Sequence, residues 1–119
     1  QIRRMTVASA SHPSVVIYGF LNEGAAADPR STPAYKELAQ EVRTRDPTRL
    51  VGWASSVTVR DLGWEFADVI GFNDYSAWYP TRTKATVEDL KSVPHVWQYY
   101  KDWAEEHFPG KPVIASEFG

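Results

Sequence analysis

Four short apolar runs, separated by segments of helical pattern, constrain the fold more than any other feature of this chain. They are Ser14 to Phe20 (SVVIYGF), Leu50 to Ala54 (LVGWA), Asp68 to Phe72 (DVIGF) and Pro112 to Ala115 (PVIA). Each has the length and β-branched content of a strand. Each is nearly continuous rather than alternating, as expected of a strand covered on both faces in a parallel sheet. Between the runs, Thr32 to Arg45 places Ala34, Tyr35, Leu38, Ala39 and Val42 on one helical stripe. Ser31 or Thr32 can cap this helix, Pro33 suits its first turn, and Asp46-Pro47 stops it. A short segment from Thr58 to Phe66 links the second and third runs. A longer helix is expected from about Val87 to His107, with a break or kink at Pro94. Its Trp97, Tyr100 and Trp103 have the spacing of a face that packs on a sheet. Ile2 to Ser9 reads as the last turns of a further helix.

The resulting β-α-β-α-β-α-β order implies an α/β fold of parallel strands joined by right-handed crossovers. An open doubly wound sheet and a barrel both satisfy it. No glycine-rich phosphate loop follows any strand, which counts against nucleotide binding. The chain has 119 residues, whereas a closed (β/α)8 barrel needs about 200 or more. If the sheet is that of a barrel, residues 1–119 are expected to be a fragment of one domain, a partial TIM (β/α)8 barrel, with no second domain.

Composition narrows the partners. The formal net charge is -2, which favours neither nucleic acid nor an anionic membrane. No apolar run approaches the roughly 18 residues of a membrane span. With no cysteine, disulfides and thiolate metal sites are excluded, while the cellular compartment stays open. His12 precedes a proline, and His95 has no ligand partner one turn on, so no protein-bound metal is expected.

In such folds the chemistry gathers at the C-terminal ends of the strands. Asn22-Glu23 ends the first run; Asn73, Asp74 and Tyr75, with Trp78 and Tyr79 beyond, end the third; Ser116-Glu117 ends the fourth. Two glutamates thus close two strands of one sheet. A pair of carboxyls on one cleft is the equipment of glycoside hydrolysis, one protonating the leaving oxygen and the other attacking the anomeric carbon or activating water.

Longer stretches carry a resemblance. HPSVVIYGFLNEG (His12 to Gly24) resembles the acid/base signature of glycoside hydrolase family 2, and KPVIASEFG (Lys111 to Gly119) resembles its nucleophile strand. DPTRLVGWAS (Asp46 to Ser55) and DVIGFNDYSAWY (Asp68 to Tyr79) are similar to the strands between, so the four runs correspond to about strands 4 to 7 of that family's barrel. The resemblance implies a retaining β-glycoside hydrolase of β-glucuronidase or β-galactosidase type, acting through a covalent glycosyl-enzyme. Glu23 matches the acid/base and Glu117 the nucleophile. Asn22 matches an asparagine that bonds the sugar 2-hydroxyl, and Tyr75 falls near a tyrosine beside the nucleophile. Asn73 and Trp78 join them as expected substrate contacts. No cofactor is implied, the partner is a carbohydrate, and a homo-oligomer is possible. Two departures stand out. Gly19-Phe20-Leu21 replaces the usual residues before the Asn-Glu pair, and Asp74 stands where the glucuronidase pattern commonly has arginine, which weakens the glucuronide reading. The alternatives are an inactive barrel fragment or half-barrel assembly, and a retaining two-glutamate enzyme of another family, cellulase-like or mannanase-like.

Overall fold

The computed structural model describes residues 1–79 and 87–119. Its elements are α1 (Ile2–Ser9), β1 (Ile17–Asn22), α2 (Thr32–Arg45), β2 (Leu50–Ser55), β3 (Val69–Asp74), α3 (Val87–His107) and β4 (Val113–Phe118). Two 3-10 turns, Thr58–Arg60 and Trp64–Phe66, occupy the link between β2 and β3. The four strands form one sheet in the order β1-β2-β3-β4, and every neighbouring pair is parallel. All strands therefore finish on the same edge.

The strands lie further along the chain than the apolar runs suggest. Val15 N–H donates to the His12 carbonyl at 3.1 Å, so the residues before Ile17 form a turn, and Val16 is exposed. At the far ends, pairing continues to Asn22, Ser55, Asp74 and Phe118. The ladder is built by backbone groups, so it persists where the side chains turn polar. Likewise α3 does not break at Pro94. Pro94 and Leu90 are both exposed, and a carbonyl left without its helical donor there can be met by solvent. Ser31 stands at the start of α2 but makes no side-chain cap; its hydroxyl bonds the carbonyls of Ala25 and, at 2.7 Å, Asp28.

The outer face of the sheet packs on the helices in two clusters. Nearer the strand starts, Tyr18 and Val51 meet Ile2 of α1 and Ala39 and Val42 of α2. Nearer the strand ends lies an aromatic chain. Trp53 and Trp64 stack at 5.2 Å, Trp64 meets Phe72 edge-on at 5.7 Å, and Phe72 packs on Tyr100 of α3 at 4.8 Å. Of the expected helical stripe on α2, Tyr35, Ala39 and Val42 are buried, while Leu38 and Ala34 sit at its exposed border. The other face is lined by small and aliphatic residues, among them Ile17, Leu21, Ala54, Val69 and Ile114, around a groove of about 440 Å³. Two glycines on β2 and β3 let backbone approach closely. A methyl at Gly71 would lie 2.4 Å from the Trp53 carbonyl oxygen, and one at Gly52 would lie 2.9 Å from that of Val69.

The strand starts are tied by the segments around Asp46 and His12. Arg49 donates to the carbonyls of Val15 at 2.6 Å, His12 at 3.1 Å and Ala10 at 3.3 Å. It also pairs with Asp46, which accepts from Tyr18 Oη at 2.9 Å and from the Thr48 amide at 3.0 Å. One arginine thus fastens the turn before β1 to the turn before β2.

Two consequences are measurable. Trp64 is fully buried at the centre of the aromatic chain. Its truncation to alanine is expected to cost about 3–5 kcal/mol in denaturant unfolding. Asp46 is held well below the usual carboxylate range, chiefly by the Thr48 hydroxyl and amide, then by Tyr18 and Arg49. A carboxyl whose folded pKa is depressed stabilises the fold above its ordinary value of 3.8 and loses that contribution as pH falls below it. Melting curves of Asp46→Asn against pH should therefore show a lower melting temperature at neutral pH and a smaller further drop in acid than the parent.

Candidate active site

Glu23 follows the last residue of β1, and its backbone sits in the left-handed region at φ 52°. That conformation is unfavourable for a residue with a side chain and persists only when its surroundings hold it. Here they do. Glu23 N–H donates to the Ala54 carbonyl at 2.9 Å, and Glu23 Oε1 accepts from Asn73 Nδ2 at 2.9 Å. The loop that follows is tied at two more points: Ala25 O accepts from Ser31, and Ala26 O accepts from the Leu62 amide at 2.9 Å.

Asn73 is the centre of the site. It lies near the end of β3 with only 2% of its surface exposed. Its Nδ2 donates both to Glu23 Oε1 and, at 3.1 Å, to Asn22 Oδ1. Its Oδ1 accepts from Ser116 Oγ at 2.7 Å. Each hydrogen of the amide nitrogen thus has a protein partner, so Asn73, expected as a substrate contact, first organises the groups around it.

Glu117 belongs to β4, where it pairs in register with Asn73. Its Oε2 accepts a hydrogen bond from Tyr75 Oη. Tyr75 is pushed up to about 12, first by that bond, then by partial burial and by the charges of Glu117 and Glu23. Both glutamates raise this phenol, and Asn73, bonded to Glu23 and in register with Glu117, links the two strand ends at the C-terminal edge of the sheet.

Both carboxylates follow an irregularity in the ladder. Between Gly19 and Asn22, β1 advances three residues while β2 advances two. Between Phe72 and Asn73, β4 advances two residues while β3 advances one. An extra residue in one strand reverses the side-chain alternation beyond it, a common device for re-aiming side chains beside active sites. Without the second irregularity Ser116, not Glu117, would pair with Asn73.

The remaining expected residues are placed as follows. Asn22 sits in the cluster through Asn73. Trp78 is exposed and lies against Gly119, where a methyl would come within 2.6 Å of the indole Cγ. Trp78 N–H donates to the Tyr75 carbonyl at 2.9 Å, and the ring of Tyr79 meets that of Tyr75 edge-on at 5.4 Å. Asp74 does not join the cluster. It accepts from Tyr100 Oη of α3 at 2.9 Å and from the Ser76 amide at 3.0 Å, so it ties the loop to the helix layer. His12 contributes its carbonyl to Arg49 at the starts of the strands, the opposite edge from the cluster. No group of His, Cys, Asp and Glu suited to a metal ion occurs among the described residues. Ser116, placed at the strand end by the sequence, gains a role there only through its bond to Asn73, and the two ladder irregularities have no sequence signal.

Four parallel strands with helices between them, and Glu23 and Glu117 on the same strand-end edge, have the architecture of a TIM-barrel type of domain. The family described as "Glycosyl hydrolases family 2, TIM barrel domain" matches residues 1–119, and the chain belongs to that family. A β-glucuronidase of Paenibacillus borealis is 30% identical over 112 residues, which are 92% of this chain and 17% of that protein. Among solved structures, a GH2 β-galacturonidase from Eisenbergiella tayi bound to galacturonate superposes with a TM-score of 0.83 at 28% identity, covering 99% of this chain and 20% of that one. A β-D-glucuronidase of Dictyoglomus thermophilum gives a TM-score of 0.85 at 25% identity, again over 99% of this chain and 20% of that one. The chain thus spans a fifth or less of the length of these relatives, and its four strands are part of a barrel.

Tyr75 offers a direct check on the cluster. A phenol whose folded pKa is raised stabilises the fold below its ordinary value of 10.0, and that contribution is lost as pH rises toward about 12. Ultraviolet titration of Tyr75→Phe should lose one late-ionising phenol relative to the parent. Tyr35, also pushed up to about 12 by burial and the charge of Asp61, should remain. An unchanged late phase in the variant would place Tyr75 away from both glutamates.

Proposed function

We propose that these residues carry the two catalytic carboxylates of a retaining β-glycoside hydrolase, with Glu117 as nucleophile and Glu23 as acid/base. The observation that carries this reading is the single cluster of Glu23, Asn73, Tyr75 and Glu117 at the strand ends. In the first step the Glu117 carboxylate bonds to the anomeric carbon. The glycosidic C–O bond breaks, and Glu23 gives its proton to the departing oxygen. In the second, Glu23 takes a proton from water, the hydroxide oxygen bonds to the anomeric carbon from the same face, and Glu117 is released. Tyr75 donates to Glu117 and fixes the direction of the attacking carboxylate. Asn73 holds Glu23 and Asn22 together, leaving the 2-hydroxyl of the sugar to Asn22. Trp78, exposed at the mouth of the site, is suited to stack on a sugar ring.

A β-linked hexuronide is the substrate class favoured, because the relatives include β-glucuronidases and a β-galacturonidase. Among the described residues β1 and β4 each have an unpaired edge, and turnover by this stretch alone is not expected.

The test is a panel of 4-nitrophenyl β-glycosides, glucuronide, galacturonide, galactoside and mannoside, with the full-length protein. Glu117→Ala and Glu23→Ala are each expected to lower turnover about a thousand-fold or more on the best substrate. Proton NMR of the first-formed sugar should show the β-anomer. Near-parental rates in either variant, or the α-anomer as first product, would overturn the reading.

A further inference from the structure

Outside the carboxylate cluster, the most constrained part of the site is the backbone on which Glu23 stands. Glu23 is one of three non-glycine residues with positive φ among the described residues, and Gly24 follows it. Gly24 is packed from outside by Tyr35 of α2. A methyl built at Gly24 would lie 2.5 Å from Tyr35 Oη and 2.6 Å from Leu21 Cδ2. The leucine tip can swing, but the phenol cannot. Tyr35 is 4% exposed, and its ring is wedged edge-on against Trp53 at 5.2 Å and Phe20 at 6.3 Å.

The Tyr35 hydroxyl is itself an anomaly. It is buried without a hydrogen-bond partner among the described residues, in a region that also holds the buried carboxyl of Asp61. An unpaired buried hydroxyl costs about 1–3 kcal/mol. A phenylalanine would fill the same aromatic slot without that cost, so the oxygen needs a reason. Its nearest consequence is at Gly24: the oxygen occupies the volume that any side chain there would need. Ser31, just before α2, also secures the residue after Gly24, its hydroxyl bonding the Ala25 carbonyl.

We propose that Tyr35 is a positioning residue whose hydroxyl, pressed against Gly24, holds the left-handed turn that aims the Glu23 carboxyl into the site. The proposal rests on the assignment of Glu23 as the proton donor. The contact is steric: oxygen volume on one side, the missing side chain of glycine on the other. Tightening it or loosening it should both turn Glu23 away, and exchanging the two volumes should restore the fit.

Leaving-group dependence separates this from a general loss of structure. A displaced proton donor slows glycosides with poor leaving groups, such as alkyl alcohols, which must be protonated to depart. It spares 2,4-dinitrophenyl glycosides, which leave as stable anions. In the full-length enzyme, Gly24→Ala is expected to lower kcat/KM about 100-fold on the alkyl glycoside and less than about 5-fold on the dinitrophenyl glycoside. Tyr35→Phe should show the same split at about 5- to 10-fold, and it serves if Gly24→Ala does not fold. The double variant should recover at least about 10-fold on the alkyl glycoside over Gly24→Ala alone. Glu23→Ala is the reference. If it shows no leaving-group split, the assignment of Glu23 fails. If it shows the split while both contact variants lose the two substrates equally, or while their losses simply multiply in the double variant, the positioning role of Tyr35 is overturned and the assignment of Glu23 stands.

Discussion

Parallel pairing is the constraint on which everything else in this structure depends. Because β1 to β4 all run the same way, the residues that leave the apolar part of each strand emerge on one edge. That is how Asn22, Glu23, Asn73 and Glu117, which are distant in the chain, become neighbours. The helices make this affordable by covering the outer face with an aromatic chain from Tyr35 to Trp103. The glycines of β2 and β3 let the backbones draw close on the other.

The cluster at that edge uses few residues for several tasks. One amide, that of Asn73, is bonded to a hydroxyl, a second amide and a carboxylate. Its burial matters, since hydrogen bonds shielded from water are stronger and leave fewer alternative arrangements. Tyr75 gives Glu117 a fixed donor in the same way. The two glutamates stand in different settings: Glu23 is exposed and held by an amide, whereas Glu117 is half-buried and held by a phenol. Different settings are what separate a proton donor from a nucleophile in two-carboxylate chemistry.

Much of this was legible in the residues. The apolar runs report four strands through their length and β-branched content, but only β2 and β3 are covered along most of their length, while β1 and β4 keep exposed positions. The helical stripe reported α2 with its bounds because Pro33 and the Asp46-Pro47 pair punctuate it. Glu23 and Glu117 could be singled out because each follows a strand-like run beside a polar partner. The strand ends were less visible: residues 22, 73, 74 and 117 pair through backbone groups that composition does not report. Ser116 and the engagement of Asn73 could not be read, because which polar side chains meet depends on register. Asp74 was read as a comment on the sugar, and its contact with Tyr100 comes from a helix whose packing the local sequence does not disclose. Of the break or kink expected at Pro94, the break does not occur: α3 runs through this exposed position.

The two ladder irregularities set the regularity of the sheet against the grouping of side chains at its edge. Removing the additional residue from β1 or from β4 would give an unbroken run of paired backbone groups, a more regular sheet by any measure of strand geometry. It would also rotate the residues beyond by half a turn and scatter the carboxylates. Natural variation that rewarded robustness alone would tend to erase both kinks. A redesign that idealised these strands would gain regular pairing and turn Glu23 and Glu117 away from Asn73 and Tyr75.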